Sequence, residues 1–146
     1  MAKEWVDTLN SLLKGEQSAV ETYEEVVSQL GPDGKPEAHD LRRFNTDHRD
    51  AVTLLRRQIE LHRGEPVNGS GPWGAWARTL ASTAEILGDA STLKALKEGE
   101  EHGMRLYEEA LAQNKLDPDC EEVVRSALLP RTRAHVRELD RMIKVR

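Results

Sequence analysis

The sequence predicts an all-α protein: an antiparallel bundle of four long helices, with an additional short helix in the connection between the second and the third. Three observations support this. Charged residues make up 32% of the chain, with a single Phe and two Tyr, a balance typical of helical proteins. Turn-forming residues divide the chain at four places. Between them, apolar residues recur with the 3.6-residue period of amphipathic helices.

The turn signals set the boundaries of the predicted helices. The signals lie at 31–34, 63–72, 88–89 and 117–119. Long helices are predicted at about 2–30, 36–63, 89–114 and 118–145, and the short helix at about 74–87. A chain of 146 residues is the size of one ordinary domain, so we expect residues 1–146 to form a single domain.

Each long helix carries one ionisable residue at the centre of its apolar stripe. In the first helix, for example, Glu16 lies between Leu13 and Val20 on the stripe. The complete set is Glu16, His48, Glu100 and His135. An unpaired carboxylate in a bundle core would cost several kcal/mol, so each Glu needs a compensating partner.

The two halves of the chain repeat this arrangement. Glu16 precedes Tyr23 by seven residues, and Glu100 precedes Tyr107 by the same interval. The pattern predicts two αα-hairpin repeats, at about 2–63 and 89–145. With a rise of about 1.5 Å per residue, antiparallel packing brings each Glu near the level of the His in its own hairpin. In the second hairpin the levels differ slightly, and Pro130 is expected to alter the helix there.

Two carboxylates and two imidazoles form a suitable ligand set for a divalent metal ion such as Fe, Mn or Zn. Hydrogen-bonding partners of these ligands are predicted among residues on the same faces, namely Tyr23, Tyr107, Asn45 and Thr132. The alternative is a buried Glu/His network without metal, satisfied by hydrogen bonds alone. The occurrence of the same pair in both halves favours metal.

The Glu-x6-Tyr pattern, followed each time by a core His, resembles the ferritin-like superfamily that includes rubrerythrin and bacterioferritin. Within it, the segments LNSLLKGEQSAVETYEEV, GPWGAWARTLASTAEILGD and LKEGEEHGMRLYEEAL are similar to a group of uncharacterised bacterial ferritin-like four-helix-bundle proteins. The resemblance covers nearly the whole chain. It implies a ferritin-like fold, iron as the preferred metal, and a role in iron handling or oxidative stress.

One departure from the di-iron pattern is specific. In the superfamily the second and fourth helices carry Glu-x-x-His, and these glutamates bridge two metals. Here Asn45 precedes His48 and Thr132 precedes His135 by three residues. A single ion, or a weak pair completed by water, therefore fits better than a di-iron site. Asp47 is not expected to substitute, because it points about 100° away from His48 on the helix.

The ligands alone do not define a reaction, so enzymatic activity stays open. A metal-free structural or protein-interaction bundle is the alternative function. The sequence has no nucleophile elbow, phosphate-binding loop or HExxH motif, which disfavours a hydrolase. The net charge of −5 and the pI of about 5.6 disfavour nucleic acid and anionic membranes as partners.

The remaining signals concern location and surfaces. No apolar run approaches the roughly 20 residues of a membrane span, and a cytoplasmic protein is expected.

The single cysteine, Cys120, excludes an intramolecular disulfide and a thiolate metal cluster, and it is interpreted as structural. Trp73 and Trp76 in the second connection are predicted to anchor the short helix over the bundle, or, if they are exposed, to mark a partner or dimer surface. A homodimer is expected from these residues and from the behaviour of similar bundles. Three histidines are predicted to lie on the surface: His39, His62 and His102.

Overall fold

The computed structural model describes residues 2–30, 36–69 and 90–145. Its helices are α1 (Ala2–Leu30), α2 (Pro36–Leu61), α3 (Ser91–Ala112), α4 (Pro118–Val123) and α5 (Leu129–Lys144). A π turn at Val124–Leu128 joins α4 to α5, so Pro118–Lys144 is one continuous fourth helix. The all-α prediction is confirmed, and the described residues contain no strand. The short helix predicted at 74–87, together with Trp73 and Trp76, lies outside the described residues.

Two separate hydrophobic clusters show the direction in which each helix runs. The first cluster joins the start of α1 to the ends of α2 and α3: its buried residues are Leu9, Leu12, Leu13, Ala51, Leu55, Ile59, Tyr107, Ala110, Leu116, Cys120, Val124, Leu128 and Leu129. The second cluster joins the end of α1 to the starts of α2 and α3: its buried residues are Tyr23, Val26, Leu41, Phe44, Leu93, Leu96 and Leu139. The first and fourth helices therefore run one way, and α2 and α3 run the other way.

Because α2 and α3 are parallel, the connection between them must travel the length of the bundle. Its first described residues do so along α1. Gly64 lies against Val6, and the Val67 N–H donates to Asn10 Oδ1 at 2.9 Å. The Gln17 side-chain amide then donates to the Val67 carbonyl at 2.9 Å. From Val6 to Gln17 this path covers about 16 Å of helix. No described helix is long and apolar enough to cross a lipid bilayer.

A tight turn ends α2 and fixes the chain direction just after His62. Arg63 adopts a left-handed conformation with φ of 60°. Its N–H donates to the Glu60 carbonyl at 2.9 Å, and the Gly64 N–H donates to the Ile59 carbonyl at 2.9 Å. This pair of bonds is the Schellman motif, which satisfies carbonyls left free at a helix end. It also presses Gly64 against α1.

Substitution of two glycines by alanine is expected to change stability in opposite directions. A Cβ at Gly64 would lie 2.7 Å from Val6 Cγ1 and 3.1 Å from Ile59 Cγ2, so Gly64→Ala should lower the free energy of unfolding by about 1–3 kcal/mol. A Cβ at Gly103, inside α3, meets nothing within 4 Å. Gly103→Ala should therefore raise the free energy of unfolding by about 0.5–1 kcal/mol. Urea unfolding measures both, and a Gly64→Ala variant at least as stable as wild type would contradict the packing at Gly64.

The π turn in the fourth helix lies directly before Pro130. Proline has no N–H, and its ring would clash with the Ser126 carbonyl in a regular α-helix. The chain instead forms the wider bond, in which the Leu129 N–H donates to the Val124 carbonyl. As a result the consecutive residues Leu128 and Leu129 are both buried. The extra residue also sets the phase of α5, in which Thr132 and His135 face the core.

Candidate metal centre

A polar layer separates the two hydrophobic clusters at mid-height of the bundle. It contains the four ionisable residues that the sequence places at the stripe centres, one from each long helix. All four are buried: Glu16, His48, Glu100 and His135 have relative exposures of 7%, 3%, 1% and 2%. The structure thus brings the four residues together, while their role as metal ligands stays a prediction.

His48 lies at the middle of this layer, between the two glutamates. Its Nε2 is 2.8 Å from Glu100 Oε2, and its Nδ1 is 3.2 and 3.3 Å from the two Glu16 oxygens. Burial lowers the pKa of His48, but Glu100 and Glu16 outweigh that effect, and the pKa lies well above the ordinary value of 6.5. In the metal-free protein the imidazolium therefore donates to both carboxylates.

His135 also uses both ring nitrogens. Its Nδ1 is 3.1 Å from Glu100 Oε2, and its Nε2 is 2.8 Å from Asp47 Oδ2. The ring packs 4.5 Å from the Phe44 ring and 5.0 Å from the His48 ring, between centroids. Asp47 therefore contacts a residue of the layer, although the expectation that it does not replace a bridging glutamate stays a prediction. Asp47 does point away from the bundle axis, but α5 lies on that side of α2.

Glu100 is the residue on which the contacts of the layer converge. One oxygen, Oε2, accepts from the Tyr23 hydroxyl at 2.5 Å and also faces His48 and His135. Burial raises the pKa of Glu100, but His48 and His135 outweigh it and hold that pKa far below its usual range. Burial and the Glu100 charge raise the pKa of Tyr23, so the phenol stays protonated as the donor. Tyr23 belongs to the first repeat and Glu100 to the second, so this bond ties the two hairpins together.

Tyr107 is the corresponding tyrosine of the second repeat, but it does not bond to a carboxylate of the polar layer as Tyr23 does. Its buried hydroxyl has no hydrogen-bond partner among the described residues. Burial and the charges of Glu16 and Glu100 raise its pKa. Tyr107 lines a cavity of about 30 Å³ together with Glu16, His48 and Glu100. That volume is enough for one or two water-sized occupants.

The two residues that stand where the di-iron pattern has glutamate have different surroundings. Asn45 is buried, and its Oδ1 has no hydrogen-bond partner among the described residues. Thr132 also lines the cavity, and its hydroxyl donates to the Leu128 carbonyl at 2.9 Å. Neither supplies a carboxylate to the layer.

The metal-free protein is expected to lose stability as the pH rises above about 6.5, the unfolded-state pKa of His. The folded-state pKa of His48 is raised. The contribution of protonated His48 to folding stability is therefore complete below its unfolded-state pKa and disappears as the pH rises through its folded-state pKa. The free energy of unfolding falls by at most about 1.4 kcal/mol per pH unit for one proton. Urea unfolding of chelator-treated protein at several pH values between 6 and 9 measures it.

The reference for that experiment is His48→Gln, which removes the titrating ring. The difference in unfolding free energy between wild type and variant should shrink as the pH rises. A difference that is constant with pH would show that His48 does not carry the proton.

The other histidines divide into two groups. His39 and His102 are exposed, as predicted. The prediction that His62 lies on the surface is wrong, because its side chain is 18% exposed and its Nε2 is 3.2 Å from Asp117 Oδ2. The acidic partner is 55 residues away in sequence, so helix periodicity had no means of finding it.

Comparison with known families gives one match. Residues 4–113 match the family described as a domain of unknown function, DUF2383. The matched region extends from α1 to just beyond the end of α3, and it includes Glu16, His48 and Glu100 but not His135. No curated protein and no solved structure matches the chain. Since the match covers most of its length, the chain belongs to the DUF2383 family.

Proposed function

We propose that this protein is a ferritin-like metal-binding protein that holds one divalent ion in its polar layer, with iron as the preferred ion and a role in iron handling or oxidative stress. The observation that carries the proposal is the convergence of His48, Glu100 and His135. Their ligand atoms all lie within 4.8 Å of one another in the buried centre of the bundle.

The donor set favours iron. The two imidazole nitrogens that face the common point are His48 Nε2 and His135 Nδ1, and the carboxylate is Glu100. Two histidines and one carboxylate are the ligands of non-haem Fe(II) sites. The same donors also accept Mn or Zn. Bound iron would supply redox chemistry with oxygen or peroxide as the oxidant.

Two further carboxylates are placed to orient the histidines. Glu16 contacts the outer nitrogen of His48, and Asp47 contacts the outer nitrogen of His135. A metal-bound His usually donates its second N–H to a carboxylate, which fixes the ring and raises its basicity. Glu16, predicted as a fourth ligand, fits this orienting role and also lines the cavity beside the site.

The site has an unsatisfied polar group that an ion with its water would engage. The Tyr107 hydroxyl is buried and without a hydrogen-bond partner in the described part of the chain. A buried polar group normally has a partner or an ordered water. The cavity beside Tyr107 is therefore the place where additional coordination positions would lie.

The topology supports the ferritin-like assignment. The parallel direction of α2 and α3 requires one long crossover, which distinguishes ferritin-like bundles from simple up-down-up-down bundles. The missing glutamates at Asn45 and Thr132 support one ion rather than two. The cytoplasmic location and the homodimer remain predictions from the sequence.

The test is metal content after anaerobic loading with Fe(II), measured by elemental mass spectrometry. We expect about one iron ion per chain in wild type and no bound iron in Glu16→Gln/Glu100→Gln. The control is Glu25→Gln/Glu109→Gln, which removes two exposed glutamates at equivalent positions of the two repeats. Equal metal content in both double variants, with both folded by circular dichroism, would overturn the proposal. A metal-free structural or interaction bundle would then be the better description.

A further inference from the structure

A second group of ligand-type side chains lies at the end of the bundle that carries the first cluster. It consists of His62, just beyond the end of α2, and Asp117 and Cys120 at the start of α4. One ligand atom from each lies within 4.8 Å of the other two. The Cys120 residue is 1% exposed, and the His62 and Asp117 side chains are 18% and 12% exposed. The group is therefore shielded but close to the surface.

His62 has a ring nitrogen that its surroundings leave unsatisfied. Its Nε2 is 3.2 Å from Asp117 Oδ2, yet the orientation does not make a hydrogen bond, and no other described residue supplies a partner. The Trp5 ring packs against the imidazole with centroids 5.4 Å apart. The ring is thus held in place with its Nε2 directed at Asp117.

Asp117 and Cys120 are held together by the start of their helix. Asp117 is the N-cap residue, and its Oδ1 accepts from the Cys120 N–H at 3.3 Å. This leaves Oδ2 to face His62. The Cys120 thiol donates to Gln58 Oε1 at 3.3 Å. Burial and the Asp117 carboxylate raise the pKa of Cys120, so the free thiol is not an activated nucleophile.

We infer that His62 Nε2, Asp117 Oδ2 and Cys120 Sγ form a second divalent-metal site of the zinc class, with Gln58 Oε1 closing the fourth position. A thiolate, an imidazole and a carboxylate are ligands that zinc accepts. Ligand atoms around tetrahedral zinc lie about 3.3–3.6 Å apart, given bond lengths of about 2.0–2.3 Å. The Nε2–Oδ2 and Sγ–Oε1 distances of 3.2 and 3.3 Å are close to that spacing. The thiol proton passes to solvent when the metal–sulfur bond forms.

This site is independent of the polar layer. Trp5 marks its level on α1 and Glu16 marks the level of the layer, which places them about 16 Å apart along that helix. The second site contains sulfur, whereas the first offers only oxygen and nitrogen. Metal at the second site would join the end of α2 to the start of the fourth helix, so it would act on stability.

Titration of the full chain with Co(II) tests the inference, because a thiolate ligand to Co(II) gives a charge-transfer absorption that the polar layer cannot give. Cys120 is the single cysteine, so the band would report this site alone. We expect the band in wild type and in Glu16→Gln/Glu100→Gln, and its loss in Cys120→Ser. His62→Gln should weaken Co(II) binding by about 10-fold or more. The matched control, His39→Gln, removes an exposed histidine near the start of α2 and should bind Co(II) as wild type does.

Absence of the band in wild type at millimolar Co(II) would overturn the inference, and so would equal affinity in His62→Gln and His39→Gln. A second measurement uses Glu16→Gln/Glu100→Gln, in which the polar layer has lost two of its carboxylates. Zn(II) at about 100 times its dissociation constant should raise the Tm of this variant by roughly 5–10 °C. No rise in this variant would overturn the inference.

Discussion

Glu100→Gln is expected to lower the affinity of the polar layer for Fe(II) by at least about 100-fold. Glutamine keeps the shape of the side chain but removes the charge. Glu100 Oε2 is the atom that Tyr23, His48 and His135 all contact, so the layer has no other carboxylate at the common point. Anaerobic Fe(II) titration against a chelator of known affinity measures the change.

Two further variants are compared with Glu100→Gln. Glu98→Gln, an exposed position two residues earlier on α3, should leave the affinity unchanged. Glu16→Gln should lower it by about 10–100-fold, the effect typical of a residue that orients a ligand. A larger loss in Glu16→Gln than in Glu100→Gln would reverse the roles that we assign to the two glutamates.

Phe44→Ala is expected to lower the free energy of unfolding by about 3–5 kcal/mol. The Phe44 side chain is fully buried in the second cluster. Its ring packs edge-on against Tyr23 at 6.3 Å and lies 4.5 Å from His135, between centroids. Truncation would leave a cavity beside both residues, and urea unfolding of the metal-free protein measures the cost.

Phe44→Leu is the matched variant, since it keeps most of the apolar volume. It should cost clearly less than Phe44→Ala. If the two variants unfold at the same urea concentration, the aromatic ring is not packed as the structure has it. Both variants should also weaken Fe(II) binding, because the ring holds His135 in place.

The four helices and the polar layer could be predicted because both depend on local periodicity. The apolar stripes determine which face of each helix is buried, and Glu16, His48, Glu100 and His135 interrupt those stripes. The observed ends of α1, α2 and α3 lie within two residues of the predicted ends. The rise of about 1.5 Å per residue in antiparallel helices then indicated that each Glu lies near the level of the His in its own hairpin.

Other features depend on how neighbouring helices are placed, and periodicity does not contain that information. Asp47 contacts His135 because α5 lies beside α2, which only the packed bundle shows. The meeting of His62 with Asp117 and Cys120 joins positions more than 50 residues apart. Pro130 pointed to a local irregularity, but the sequence did not specify that it would be a π turn.

The π turn lies between the two candidate sites on one continuous helix. Cys120 lies before the turn and His135 after it, on the same continuous helix. If the turn relaxed to a regular α-helix, the two parts would rotate by about 100° relative to each other, and one of these side chains would leave its place. Pro130 excludes the regular helix at this point, so the angle between the two side chains is a property of the helix itself. Replacing Pro130 would remove that restriction at both sites at once, so the two sites share one mechanical constraint despite their separation.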